Sequence, residues 1–233
     1  MSNYDITVTA AAKKLIIKQN GKSWTYNVPF EDGTAPVENG WIYTEDQKWK
    51  YRKSDGSFVI GWAQLDWSKG KNWFYFDKDG YMFTGWLKDN NTWYYLNPET
   101  GVMELGKWLK LPWSGGTDWF YFDGYGRCII NQAYAINGKW YYFDANGVRI
   151  TGWFEDPNDH IKRYLDPIDG YMVISQVIDY EGKKYYVDDY GRLVTNAPYQ
   201  VDGKWYYADE NGERITGWYP LEDGVRYLDP KTG

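Results

Sequence analysis

Tryptophans recur at one kind of place in this chain, just after a glycine: Trp41, Trp62, Trp86, Trp153 and Trp218, with Trp108 offset by one residue after Gly106. A second set, Trp49, Trp73, Trp93, Trp119, Trp140 and Trp205, opens or sits in short aromatic runs. Rings gathered this way can form an open box that attracts a quaternary ammonium through their quadrupoles, at about 0.5–2 kcal/mol per contact when desolvated. The same rings can stack on the flat face of a sugar, and the spacing does not choose between the two. A third use is core packing alone. Against it, the matching places elsewhere read Asn131-Gln-Ala-Tyr134, Ser175-Gln-Val177 and Asn196-Ala-Pro-Tyr199, so the repeat survives without that tryptophan. The expected box takes the Gly-Trp ring, the first Trp of the same hairpin's second strand and a Tyr of the next hairpin; Trp62, Trp73 and Tyr95 make one such set.

The elements that must carry these rings are short strands. Trp140-Tyr-Tyr-Phe-Asp-Ala-Asn-Gly147 recurs as Trp205-Tyr-Tyr-Ala-Asp-Glu-Asn-Gly212, Trp73-Phe-Tyr-Phe-Asp-Lys-Asp-Gly80, Trp119-Phe-Tyr-Phe-Asp-Gly-Tyr-Gly126 and Lys184-Tyr-Tyr-Val-Asp-Asp-Tyr-Gly191. Looser copies start at Trp49, Trp93, Lys162 and Val225, which gives about nine repeats with a period near 21 residues. Alternation along each copy puts two aromatics on each face of a strand. Asn137-Gly138 and Asp202-Gly203 before two of the copies are type I′ hairpin signals, since both central residues need positive φ. A hairpin of about 20 residues is too small to stand alone. The expected fold is therefore all-β, a solenoid of stacked hairpins that bury rings against their neighbours.

Composition agrees with that economy. Trp 15, Tyr 24 and Phe 9 make the chain 21 % aromatic, yet the mean hydropathy is −0.71. The apolar area sits on rings that mostly carry a polar handle, suited to half-buried or wet sites. A net charge of −6 argues against nucleic acid, whose phosphates need clustered Lys and Arg. No run of about 18 apolar residues exists, so no membrane insertion is expected. Residues 1–40 lack the Gly-Trp signature and read as a head, with an apolar stretch from Ile6 to Ile17, a degenerate hairpin around Asn20-Gly21 and a linker from Pro29 to Pro36; this head is a candidate docking segment for a protein partner. Residues 41–233 form the repeat array.

No catalytic set emerges, and the expectation is a non-enzyme without cofactor or metal. Asp77, Asp123, Asp144, Asp188 and Asp209 share one turn position, which marks them as structural. Their Asp-x-x-Gly turns lack the calcium-loop spacing. Cys128, the sole cysteine, reads as a small apolar filler, and His160, the sole histidine, as a solvated loop residue.

On its Thr-Gly-Trp and Trp-Tyr-Tyr-Phe-Asp-x-x-Gly elements the chain, from about residue 40 to 233, resembles the choline-binding (cell-wall-binding) repeat family of Gram-positive bacteria and their phages. The resemblance implies choline as ligand, carried by cell-wall teichoic acids, and aromatic sockets of two Trp and one Tyr. It implies four sets: Trp41, Trp49 and Tyr75; Trp62, Trp73 and Tyr95; Trp86, Trp93 and Tyr121; Trp108, Trp119 and Tyr142, with Met82 and Met103 at the family's Met place. Two thinner sets, Trp153 with Tyr164 and Trp218 with Tyr227, lack the second Trp because Lys162 and Val225 replace it. The implied location is the bacterial cell surface. A start without the basic-then-apolar pattern of a secretory signal leaves a phage particle or a subunit released at lysis as expected settings. Two alternatives stay open: glucan or other glycan binding, as in the related repeats of glucosyltransferases and clostridial toxins, and a purely structural fibre or spike subunit.

Overall fold

The computed structural model describes residues 39–68, 70–220 and 224–231 with their side chains, and the backbone of residues 5–9, 14–19, 22–27 and 221. All the regular elements among these residues are strands. They are β1 (Asp5–Thr9), β2 (Lys14–Gln19), β3 (Lys22–Asn27), β4 (Gly40–Tyr43), β5 (Trp49–Arg52), β6 (Gly61–Trp67) and β7 (Gly70–Phe76). Next come β8 (Gly85–Asp89), β9 (Thr92–Leu96), β10 (Lys107–Trp113), β11 (Gly116–Phe122), β12 (Gln132–Ile136), β13 (Lys139–Phe143) and β14 (Gly152–Glu155). The last are β15 (Lys162–Leu165), β16 (Gln176–Tyr180), β17 (Lys183–Val187), β18 (Ala197–Val201), β19 (Lys204–Ala208), β20 (Gly217–Leu221) and β21 (Gly224–Leu228).

β1, β2 and β3 form one antiparallel sheet in that order. In its second hairpin Gln19 pairs with Lys22, around the Asn20-Gly21 signal. The linker expected at Pro29 to Pro36 and the Asn20-Gly21 turn itself lie outside the described residues. From β4 onward the described strands pair as nine two-stranded antiparallel hairpins, consecutive in sequence. The fold is all-β, as the period and the turn chemistry require.

Local chemistry explains each hairpin. Asn137 and Gly138 take φ of 50° and 78°, the two positive values of a type I′ turn, and the register closes tightly with Ile136 opposite Lys139. After many of the second strands an aspartate folds the chain back. The Asp123 Oδ1 atom accepts the Tyr125 and Arg127 N–H groups, both at 2.9 Å, and Oδ2 accepts Arg127 Nε at 2.8 Å. Asp77, Asp144, Asp188 and Asp209 accept the same pair of backbone donors. Asp123 is the most secluded, at 2 % exposure. Asp123→Ala strands two backbone donors and is expected to cost about 2–3 kcal/mol, read as a lowered urea midpoint with the slope unchanged.

Beyond these turns one residue stitches hairpin to hairpin. Met82, Met103, Cys128, Arg149, Met172, Leu193 and Arg214 each bridge to the last strand residue before their turn. Each also donates its N–H to the first residue of an earlier aromatic run: Met82 to Trp49, Met103 to Trp73, Cys128 to Trp93, Arg149 to Trp119, Met172 to Trp140, Leu193 to Lys162 and Arg214 to Lys184, at 2.7–2.9 Å. The side chains of Met82, Cys128, Arg149, Met172 and Leu193 then lie against a later glycine. A Cβ on Gly170 would meet Arg149 Cδ at 2.5 Å, and one on Gly101 would meet the Met82 sulfur.

The chain folds as two compact units, residues 1–85 with 96–103, and residues 86–95 with 104–233. In the first, Phe74 and Phe76 are fully buried under Trp41, Tyr51, Leu65 and Trp67. In the second, Phe120 and Phe122 are buried with Tyr95, Leu111 and Cys128. Ring burial supplies the core, since a fully buried Phe contributes about 2–3 kcal/mol.

Candidate functional site

The aromatic boxes are best formed at two places, one in each unit. In the first, Trp41 meets Trp49 edge to face, with centroids 6.2 Å apart and planes at 88°. Phe74 stands 4.8 Å from Trp41, and Trp67 stands 5.1 Å from it. In the second, Trp86 meets Trp93 at 6.1 Å and 88°, and Phe120 lies 4.9 Å from Trp86. Trp113 closes this box as Trp67 closes the other. It packs on Phe120 at 6.4 Å and is fixed by a hydrogen bond from its Nε1 to Asp118, at 2.6 Å. Trp86 Nε1 donates to the Pro112 carbonyl at 3.0 Å, as Trp41 Nε1 does to that of Asp66 at 3.4 Å. The second box opens on a cavity of about 260 Å³ lined by Trp86, Trp93, Trp113, Phe120, Ser114 and Asn146.

The third ring differs from the sequence expectation in a regular way. Tyr75 lies against Trp62 of its own hairpin, at 5.2 Å, and Phe83, and it is Phe74 that reaches Trp41. Tyr121 lies against Trp108 and Tyr134, and it is Phe120 that reaches Trp86. Tyr142 pairs with Phe154 at 4.9 Å, and it is Tyr141 that reaches Trp108, also at 4.9 Å. The reason is strand alternation. Positions 120 and 122 face the preceding hairpin, whereas 119 and 121 face the following one, so the donated ring comes one residue earlier. Tyr95, expected with Trp62 and Trp73, is buried beside Trp86, at 5.3 Å. Trp73 itself is 40 % exposed.

The repeat pattern alone does not single out Trp67 and Trp113, although their signal is present in the sequence. The hairpins β6–β7 and β10–β11 have seven-residue strands, and each extension carries one extra Trp. Trp108, offset from its glycine, still stands opposite Tyr121, the register that Trp41 takes opposite Tyr51. Met82 packs with the cluster that holds Trp41, Phe74 and Phe76, and Met103 is buried. Cys128 fills the equivalent place in the cluster of Trp86 and Trp93. Burial pushes its thiol pKa up to about 12, so it is an inert filler at neutral pH.

Later boxes are thinner. Trp153 meets Tyr164 at 4.9 Å and Tyr185 at 5.2 Å, with Lys162 Nζ 5.0 Å above its ring. Trp218 and Tyr227 touch at 5.3 Å but are 74 % and 54 % exposed. Trp140, half exposed, lines a broader hollow of about 660 Å³ with Lys139, Tyr171, Gln176 and Asp189. His160 is exposed in its loop, 3.6 Å from Glu155. Beside it Arg163 clasps Asp159 at 2.5 Å, a hydrogen bond that holds the Asp159 carboxyl down to a pKa of about 2. Among the described residues no three His, Cys, Asp or Glu converge as a metal site.

The chain is matched by a family model described as a choline-binding repeat, over residues 59–108 and 130–176. A second model, a putative cell wall binding repeat, matches residues 199–213. Over those stretches the chain carries repeats of the choline-binding type. Among solved structures, choline binding protein F from Streptococcus pneumoniae is similar at 28 % identity and a TM-score of 0.64, over 93 % of this chain and 71 % of that one. Two curated relatives share sequence with most of the chain. Glucosyltransferase-S of Streptococcus mutans is 27 % identical over 72 % of this chain, and Glucosyltransferase-I of Streptococcus downei is 28 % identical over 69 %. The chain spans only about a tenth of the length of these relatives, 11 % and 10 % respectively. The choline-binding repeats make this chain a binding module.

Proposed function

We propose that the module holds itself to a cell surface by gripping choline groups of teichoic acid, with the boxes around Trp41 and Trp86 as the principal sockets. The observation that carries this is the duplicated box. Two units of the chain build the same perpendicular Trp pair and the same Phe wall at matching distances, and each adds a Trp against that Phe. A trimethylammonium group fits the electrostatics of such a box. One socket would bind free choline weakly, on the order of millimolar, or about −4 kcal/mol. Several on one chain facing a polymer gain a factor of about 10²–10⁴ by effective concentration. The same anchoring serves a bacterial surface protein, a phage particle or a subunit released at lysis.

Tryptophan fluorescence tests it. Titration with choline is expected to give a saturable change that ethanolamine does not reproduce; a flat response to choline overturns the reading. One observation favours a second ligand further along the chain. The exposed Trp140 face, ringed by Lys139, Gln176 and Asp189, suits stacking on a sugar with polar groups at its rim. A glucan oligosaccharide belongs in the same titration, and a response to it with silence to choline favours this alternative.

A further inference from the structure

The fourth socket, built from Trp108, Trp119 and Tyr141, contains a cation already. Arg149 stands at the bridging position that Met82, Met103 and Cys128 hold elsewhere. Its N–H donates to the Trp119 carbonyl at 2.9 Å, which directs the side chain across the two tryptophans. The guanidinium carbon lies 5.8 Å from the Trp108 ring and 6.0 Å from the Trp119 ring. Those are cation–π distances to both walls of the box. The outer end of the guanidinium is tied down: Nη2 donates to the Ile168 carbonyl at 2.9 Å, and Nη1 donates to the Asp169 carbonyl. Nε, turned inward, is buried and finds no acceptor among the described residues, so on that side the rings are its company. Gly170 leaves the room this arrangement needs, since a Cβ there would stand 2.5–3.0 Å from Arg149 Cδ, Nε and Cζ. Lys139 and Asp169 line the same hollow, with Lys139 Nζ 3.6 Å over the Tyr171 ring.

We infer that Arg149 is a built-in ligand of the Trp108–Trp119–Tyr141 socket, taking the place of the quaternary ammonium and closing this socket to choline. The inference rests on the choline reading of the other sockets and refines it by deciding which of them are open. Two forces act together. The guanidinium holds the cation–π position over both rings, with a hollow of about 280 Å³ left beside it, and its charge repels an arriving cation at close range. The neutral Met82 and Cys128 put no charge over the boxes of Trp41 and Trp86, and the Trp86 box opens on its cavity. In the Trp86 box Lys88 Nζ approaches one wall only, 5.6 Å from Trp93. Two later repeats show the Arg149 habit in simpler form: Lys162 Nζ sits 5.0 Å over Trp153, and Arg214 lies 3.8 Å over Tyr206.

The test is a choline soak of crystals of the wild-type chain and of Arg149→Met, the residue the sequence uses at position 82, with Arg149→Ala as a second variant should Met disturb packing. In the wild type, choline is expected in the Trp86–Trp93 box and not between Trp108 and Trp119. In the variants it is expected in both, with one added equivalent of choline bound in equilibrium dialysis. Choline between Trp108 and Trp119 of the wild type overturns the inference. So does an empty fourth socket in both variants while the Trp86–Trp93 box is filled. If no box takes choline in any of the proteins, the choline reading fails, and this inference with it.

Discussion

Trp93→Ala is expected to weaken free-choline binding at its socket by about tenfold or more, and Trp49→Ala with Trp93→Ala to release the module from a choline-coupled matrix. Trp93 is the wall of the box that can be removed with least damage to the fold. Its ring is half-buried and meets Trp86 edge-on. The bond that Cys128 makes here is to the backbone carbonyl of residue 93 and survives the substitution. Trp86 is a poorer choice, because it also covers Phe120 and Phe122. Loss of one desolvated cation–π wall, about 1.4–2 kcal/mol at the upper end of its range, is a factor of about ten to thirty in affinity. Losing a wall from both principal boxes also removes the gain from simultaneous engagement. Retention on the matrix and fluorescence titration measure the two effects separately. Tyr125→Ala, at a 76 % exposed ring outside either box, is the control and should bind unchanged. Full retention of the double variant, with its fold intact, would count against the boxes as the site.

Phe122→Ala is expected to produce the largest loss of stability, about 3–5 kcal/mol. The ring is fully buried, and it packs 5.6 Å from Trp86 and 6.2 Å from Tyr95. It therefore supports the floor of the second box as well as its own hairpin. Urea unfolding followed by tryptophan fluorescence should show the midpoint fall. Choline affinity of whatever remains folded should fall too, since Trp86 loses its support. Phe122→Leu keeps most of the buried volume and is expected to recover most of both. A loss below about 1 kcal/mol for the alanine variant would mean that the second core is not organised around Phe122.

Much of this architecture is legible in the sequence because local chemistry repeats. The type I′ pair at Asn137-Gly138 and the aspartate turns are each decided within a few residues, so nine copies announce themselves. The Gly-Trp and strand-Trp walls are legible for the same reason. The third wall is not. Alternation says that Phe120 and Phe122 share a face and that Trp119 and Tyr121 share the other. Which face looks back at the preceding hairpin is set by how hairpins stack, a tertiary fact with no local signature. One residue of parity separates the expected ring, Tyr121, from the one in place, Phe120. The added walls Trp67 and Trp113 are visible only as extra residues in two long repeats, and their inward fold depends on bonds such as Trp113 to Asp118. In the N-terminal segment the Ile6 to Ile17 stretch carries no repeat signature, and the strands within it belong to a three-stranded sheet.

The bridging bonds have a consequence for how such a chain can change over generations. Each joins a residue to a strand about one and a half repeats upstream, as Arg149 does to Trp119 and Leu193 to Lys162, and most of the bridging side chains rest on the glycine of the turn after them. The coupling runs to nearby copies and no further. Unequal recombination that deletes or duplicates a whole copy within a unit therefore re-creates the same junction between new neighbours. Copy number can drift while every junction keeps its geometry. A single codon at the bridging position, Met in one copy and Arg in another, is then enough to change which copies are open to ligand.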